Sequence, residues 1–367
     1  MNLKLAIWDK LEFEIVYTEF TKSFSFLAFS FLFLLIAKKD IKYVNLLVFV
    51  HFAICIFAFL QHPLSPFASQ MLEIKRFLYS SAESDRILGK LKTEGVYIDG
   101  GYGGRFRLAG PFVTSINFAY FAISSVIINF YLYLKYKKRI YLFYLAVLLV
   151  ASFFTQTRSL LLAEIILIFG FLFFGPFKKQ GLYKMAIVLG LSMALLFVYF
   201  GKDYLSTGDS RITKISDGQH GDGRPLLWLT AAHTVVNYPF GITAENYMEV
   251  KKEMFIRYGH PIILTMPSHN GLINIGFQYS FLGYILFFFL VIFLLHFINL
   301  LEPKYAVFFK LALVAYLINA FFHNNFVLSE DYTFYLVLML IPLNMYTENN
   351  LLEKNDQIGT EKNMIEI

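Results

Sequence analysis

The sequence predicts an all-α polytopic transmembrane bundle of about nine to twelve spans with a large extracytoplasmic helical loop. Three observations predict it. Apolar residues make up 57% of the chain and charged residues only 16%, against about 45–50% and about 25% in soluble domains. Mean hydropathy is +0.57. Apolar runs of roughly 17–25 residues, the length that crosses the hydrocarbon as a helix, recur along the chain. This composition excludes a disordered chain and a disulfide scaffold and argues against a water-soluble enzyme. The single cysteine, Cys55, lies inside an apolar run and forms neither an intrachain disulfide nor a cysteine-based metal site. The net charge of +6 fits basic cytoplasmic loops better than a nucleic-acid partner.

The elements follow in order. Residues 1–20 alternate Leu5, Ile7, Trp8, Leu11, Ile15 and Val16 with Lys4, Asp9, Lys10, Glu12, Glu14 and Glu19. That pattern predicts an amphipathic helix lying in the interface and no cleavable signal peptide. Candidate spans are 21–37, 43–60, 112–134, 140–154, 159–174, 184–200, 270–298, 305–321 and 332–346. The loops between them alternate in charge. One set holds Lys38, Lys39 and Lys42, then Lys135, Lys137, Lys138 and Arg139, then Lys178, Lys179 and Lys184, then Lys304. The short loops 155–158 and 322–331 of the other set hold only Arg158. The positive-inside rule places the basic set in the cytoplasm. Segments 61–111 and 201–268, and the amino terminus, then lie outside. Residues 1–346 read as one polytopic membrane domain that includes both segments, and the polar tail 347–367 reads as a disordered cytoplasmic end.

The outer segment 201–268 is too long for a plain connection. After Arg224, Pro225 starts a helix that carries Leu226, Leu227, Leu229, Val235 and Val236 at helical spacing. Tyr238-Pro239-Phe240-Gly241 ends it. A second helix is predicted from Glu245 to Tyr258, with Gly259 as its cap and Pro261 as its stop. The pair forms a lid, and Pro267-Ser268-His269-Asn270 leads from it into the next span.

Four stretches, in this order, resemble the O-antigen ligase/polymerase superfamily of bacterial envelope glycosyltransferases. Arg105-Phe-Arg107-Leu-Ala-Gly110-Pro-Phe112 with Asn117-Phe-Ala119 is similar to the family's Arg-x-x-Gly-x-Phe and Asn-x-x-Ala approach to a span. Thr155-Gln-Thr-Arg158-Ser159 is similar to its Ser-Arg at an outer helix end. Arg224 with Trp228, then Pro239-Phe-Gly241, resembles its loop helix and Pro-x-Gly turn. His269-Asn270 with Leu272 or Ile273, Gln278 and Gly283 resembles its His-Asn-x-x-Leu run. The resemblance covers roughly 105–285. Gln278 and Ser280 depart from the family's frequent Glu and Gly, and nine spans are few for the family.

The resemblance implies transfer of a glycan from undecaprenyl pyrophosphate to an acceptor sugar hydroxyl, at the outer face of the bacterial inner membrane. Such a site binds a diphosphate and takes up a proton. Arginine suits the first task because its guanidinium is always charged and forks onto phosphate oxygens. Histidine suits the second because it titrates near neutrality. The resemblance therefore implies His269 and Arg224 as catalytic, and Arg105, Arg107, Arg158 and Asn270 as diphosphate- or substrate-binding. Loop charge alone puts Arg105, Arg107, Arg158, Arg224 and His269 on the outer side. Each has a structural alternative. His269 could sit at the interface beside a cap formed by Asn270; Arg158 could snorkel to the headgroups; Arg105 and Arg107 could answer lipid charge. Arg224 at a helix start opposes the dipole, which favours an anionic ligand.

Around Asp217, His220 and Asp222 the spacing fits no standard zinc pattern, and neither a metal nor another cofactor is expected. Glu164 and His51, buried in spans, are left out of the site because a neighbouring helix can hold each. The implied partners are the undecaprenyl-pyrophosphate-linked oligosaccharide, membrane lipid and a chain-length regulator protein, with no nucleic acid. The preferred activity is an O-antigen or capsular repeat-unit polymerase, since such enzymes are numerous and variable in sequence. A ligase acting on lipid A–core is the near alternative. A transporter or flippase is the alternative of another class, disfavoured because the polar candidates cluster in outer loops rather than at mid-membrane.

Overall fold

A computed structural model describes residues 28, 31, 32, 34, 35, 37, 38, 42–62, 65–77, 107–112, 115–155, 157–175, 224–240, 242, 244–265, 268, 270–322 and 335–346. The expected interfacial helix 1–20, the run 184–200, the tail 347–367, the segment 217–222, Arg105 and His269 lie outside these residues. Among the described residues the chain is helical, with no strand. The helices are α1 (Lys42–Leu60), α2 (Ala68–Arg76), α3 (Ser115–Tyr136), α4 (Arg139–Phe154), α5 (Arg158–Phe174), α6 (Arg224–Asn237), α7 (Ala244–Tyr258), α8 (Ile262–Thr265), α9 (Gly271–Asn299), α10 (Pro303–Phe321) and α11 (Tyr335–Tyr346). Among the described residues four segments are long and apolar enough to cross a membrane: Tyr43–Leu60, Ser115–Tyr136, Phe281–Asn299 and Pro303–Phe321. The chain is an all-α polytopic membrane protein.

It forms two compact units. One comprises Asn45–Gly221 and Val314–Asn319; the other comprises Met1–Val44, Asp222–Leu313 and Ala320–Ile367.

In the first unit α3 is the core. All its residues from Phe118 to Leu134 are buried, and it packs against α4 and α5. Its serines are satisfied locally, as apolar surroundings demand, while Asn129 donates its Nδ2 to the Ser125 carbonyl at 2.8 Å and its Oδ1 has no hydrogen-bond partner among the described residues. Ser124 donates to the Tyr120 carbonyl at 3.0 Å and Ser125 to the Phe121 carbonyl at 2.9 Å. Ser125 Oγ also lies 2.9 Å from His51 Nδ1, and Ser152 Oγ donates to Glu164 Oε1 at 2.5 Å. His51 and Glu164 are thus each held by a neighbouring helix. The basic end of α3 closes on Lys137, which adopts φ +55° and donates its N–H to the Tyr133 carbonyl at 2.8 Å. Lys135 and Lys137 lie over the Tyr131 and Tyr133 rings, the posture of cations bordering an apolar slab.

In the second unit the lid helices α6, α7 and α8 meet as the turn signals imply. Tyr238 N–H returns to the Thr234 carbonyl at 2.9 Å, and Gly259 N–H to the Phe255 carbonyl at 2.7 Å. Gly259 takes φ +69°, the left-handed value that a helix-ending glycine supplies without a Cβ penalty. Pro261 stops α7 and also opens α8, whose first N–H groups reach His260 and Pro261 carbonyls. Ile242, Val250, Met254 and Ile263 form a small core, with Leu226, Tyr247 and Ile262 packed against it.

The expected span 270–298 is not one straight helix. Tyr284 OH donates to the Ile273 carbonyl at 3.4 Å, and the Tyr284 ring lies where a Cβ on Gly276 would fall. Along a straight helix, 273 and 284 are about 16 Å apart, more than twice a tyrosine's reach. The axis therefore bends between Gly276 and Phe281. Phe281 N–H leaves the helical ladder and donates to the Pro239 carbonyl of the lid at 2.8 Å. The spanning part is Phe281–Asn299, about 28 Å long, which matches a hydrocarbon core of about 30 Å. It is the most lipid-exposed of the four segments, with 17% of its window buried against 89% for Ser115–Tyr136.

Candidate functional site

The candidate residues fall into two places, one in each unit. In the first, Arg107 is 7% exposed and reaches the turn between α4 and α5. Its Nε–H donates to the Thr155 carbonyl at 2.9 Å and its Nη2 to Thr157 Oγ1 at 3.2 Å. One residue on, Leu108 N–H donates to the Phe154 carbonyl at 2.9 Å. These three bonds join Arg107 and Leu108 to Phe154, Thr155 and Thr157, far apart in sequence. Gly110 completes the approach. It takes φ +57°, and a Cβ there would lie 3.0 Å from Ala58 Cβ and 3.1 Å from the Phe118 ring, so only glycine fits. Phe112 then stacks at 5.3 Å from Phe121.

Arg158 is the first residue of α5, and its side chain is exposed. The helix start is unusual. Thr157, the N-cap, makes no side-chain cap bond; its hydroxyl instead accepts from Arg107. The first turn carries no acidic residue. The positive dipole end of the helix and a guanidinium therefore coincide, an arrangement that favours an anion. Ser159 Oγ donates to Asn319 Oδ1 at 3.1 Å, fixing the next residue. On the other side of the turn His62 stands with its ring 6.2 Å from Phe154. Burial pushes its imidazole below the ordinary value, so it is neutral near pH 7. Neither Thr155 and Thr157 nor His62 could be picked from spacing alone, because their roles come from contacts across long sequence separations.

In the second unit Arg224 opens α6 ahead of Pro225, again with no acidic residue in the first turn. Trp228 lies with its ring 5.0 Å from that of Phe321, and its buried indole N–H has no hydrogen-bond partner among the described residues. Asn270 is 1% exposed and is the N-cap of α9, its side chain accepting from Ile273 N–H at 3.1 Å. Asn274 N–H donates to the Asn270 carbonyl at 3.0 Å, and Ser268 Oγ donates to Asn274 Oδ1. The Asn270 side-chain oxygen is thus committed to the first turn of α9. Phe281 N–H to Pro239 O ties the third stretch to the fourth.

An open apolar groove of about 610 Å³ is lined by Leu286, Phe289, Leu290, Ile292, Phe293 and His296. None of these is a candidate residue, and all six lie on α9. Among the described residues no three His, Cys, Asp or Glu side chains are grouped to hold a metal ion.

No curated protein and no solved structure matches the chain. Residues 143–288 match the family model described as Wzy_C, O-antigen ligase, which supports the O-antigen ligase/polymerase superfamily for this chain.

Proposed function

We propose that the chain is a repeat-unit polymerase of O-antigen or capsular polysaccharide in the bacterial inner membrane. The match over 143–288 carries the assignment to glycan transfer. The acceptor sugar hydroxyl attacks the anomeric carbon of the undecaprenyl-pyrophosphate-linked glycan. The carbon–oxygen bond to the diphosphate breaks, and undecaprenyl pyrophosphate leaves with the bonding pair. The resemblance implies Arg158 and Arg224 as the positive charge for that leaving group, and each opens a helix whose first turn carries no acidic residue. Arg107 holds the turn that presents Arg158. His269 takes the proton of the attacking hydroxyl, and the cap made by Asn270 secures the backbone beside it.

The description of the matched family favours a second reading, in which the acceptor is lipid A–core and the enzyme is a ligase. Donor and bond chemistry are the same. Purified protein in lipid nanodiscs, given only a lipid-linked repeat unit, separates the readings. A ladder of products on a gel marks a polymerase. Transfer only after lipid A–core is added marks a ligase. No transfer to either acceptor sinks both. In whichever assay succeeds, His269→Ala should lower turnover by about 10²–10⁴-fold, the usual worth of a general base, with donor binding retained.

A further inference from the structure

We propose that the turn 236–240 is a membrane anchor, inserting its apolar side chains into the acyl-chain boundary of the leaflet at the Phe281 end of the α9 span. Val236 is 76% exposed, Phe240 78% and Tyr238 40%, and none of them belongs to the small core of the lid. A cluster of large apolar side chains at such exposure marks an interaction surface.

The partner is identified by continuity. Pro239 accepts from Phe281 N–H at 2.8 Å, so the turn is bonded to the apolar stretch Phe281–Asn299, which is long enough to cross a bilayer. Below that bond the surface stays apolar and outward: Phe281, Leu282 and Leu286 are 55%, 50% and 61% exposed. The exposed side chains of the turn thus adjoin an exposed apolar stretch of α9 through the Phe281–Pro239 bond. Aromatic side chains at that level are what the boundary between headgroups and acyl chains selects. The exposed residues of α7 include the charged Glu249, Lys252, Glu253 and Arg257 beside Met248, Ile256 and Tyr258, whereas the turn 236–240 carries no charged residue. The bend in α9 puts the turn against the span's first residue.

The anchor is independent of the catalytic reading, so either can fail alone. The test is spin-label depth measurement in lipid nanodiscs. Cys55, which is buried, is replaced in a Cys55→Ser background. Labels are placed through Phe240→Cys, through Val236→Cys as an independent second position, and through Glu253→Cys as the aqueous reference. Collision with oxygen, which concentrates among acyl chains, is compared with collision with a neutral nickel chelate, which stays in water. The oxygen-to-nickel ratio should be several-fold higher at 240 and 236 than at 253. A ratio equal to the reference overturns the proposal. So does exclusion of both agents, which would mean that protein covers the turn. A high ratio that arises only when an isoprenoid-diphosphate donor is added overturns it too, since the donor's tail would then be the occupant.

Discussion

Arg107 is buried and Arg158 exposed, although both meet the turn that joins α4 to α5. That difference separates their expected phenotypes. Removing Arg107 deletes two hydrogen bonds from a charged, buried donor, each worth about 1.5–3 kcal/mol. Arg107→Ala should therefore lower thermal stability in detergent clearly, and Arg107→Lys should recover little, because an ammonium cannot serve Thr155 and Thr157 in one fork. Arg158→Ala should leave the melting temperature nearly unchanged while abolishing most transfer. An Arg158→Ala variant that melts well below wild type would make this arginine structural. Sequence reasoning placed both arginines in one role, because residue type and side of the membrane are all that spacing reveals.

At the level of elements, the bend in α9 rests on a close contact between Gly276 and Tyr284. Gly276→Ala puts a methyl group onto the Tyr284 ring, an overpacking expected to cost about 1–3 kcal/mol. In a Tyr284→Ala background that extra cost should largely vanish; additive losses in a double-mutant cycle would refute the contact. The lid carries its own pH signature. Burial holds Lys251 of α7 below the ordinary lysine value and pushes Tyr247, 5.0 Å below its ammonium, up to about 12. In the window between the folded Lys251 pKa and its ordinary 10.5, the unfolded chain binds more protons, so stability rises with pH. Above the ordinary tyrosine value of 10.0 the folded chain keeps a phenolic proton that the unfolded one releases, so stability falls. Limited proteolysis of the lid across alkaline pH should show protection that climbs and then declines. Lys251→Met should flatten the climb, and Tyr247→Phe the decline. A monotonic loss from neutral pH upward in wild type would contradict both.

For the whole molecule the open matter is sidedness, and loop charge makes a definite prediction. Lys138, between α3 and α4, and Glu253, on α7, are both exposed. Single cysteines at these positions in a Cys55→Ser background should label from opposite sides with a membrane-impermeant maleimide. Lys138→Cys should react from the cytoplasm and Glu253→Cys from outside. Reaction of Glu253→Cys from the cytoplasm would remove the lid, and Arg224 with it, from the side where a lipid-linked glycan is used.

The membrane class, the runs that became α1, α3, α4, α5 and α10, and the lid helices with their Pro225, Gly259 and Pro261 signals were legible in the sequence. Each depends on composition or on interactions within a few residues, which local order preserves. The candidate stretches were legible too, as a resemblance, but only as separate pieces. Tertiary structure alone decided that Arg107 and Leu108 bond to the turn between α4 and α5, that Asn270 spends its side-chain oxygen on a cap, and that the run 270–298 bends. Those outcomes turn on where Arg107 finds a carbonyl, where a ring finds a missing Cβ, and where the Phe281 N–H finds Pro239. Hydropathy cannot register them, because an apolar run has the same composition whether straight or broken. The physical reason is range: periodicity reports which face of a helix is apolar, whereas the partner that satisfies a buried donor is set by chain segments tens of residues away.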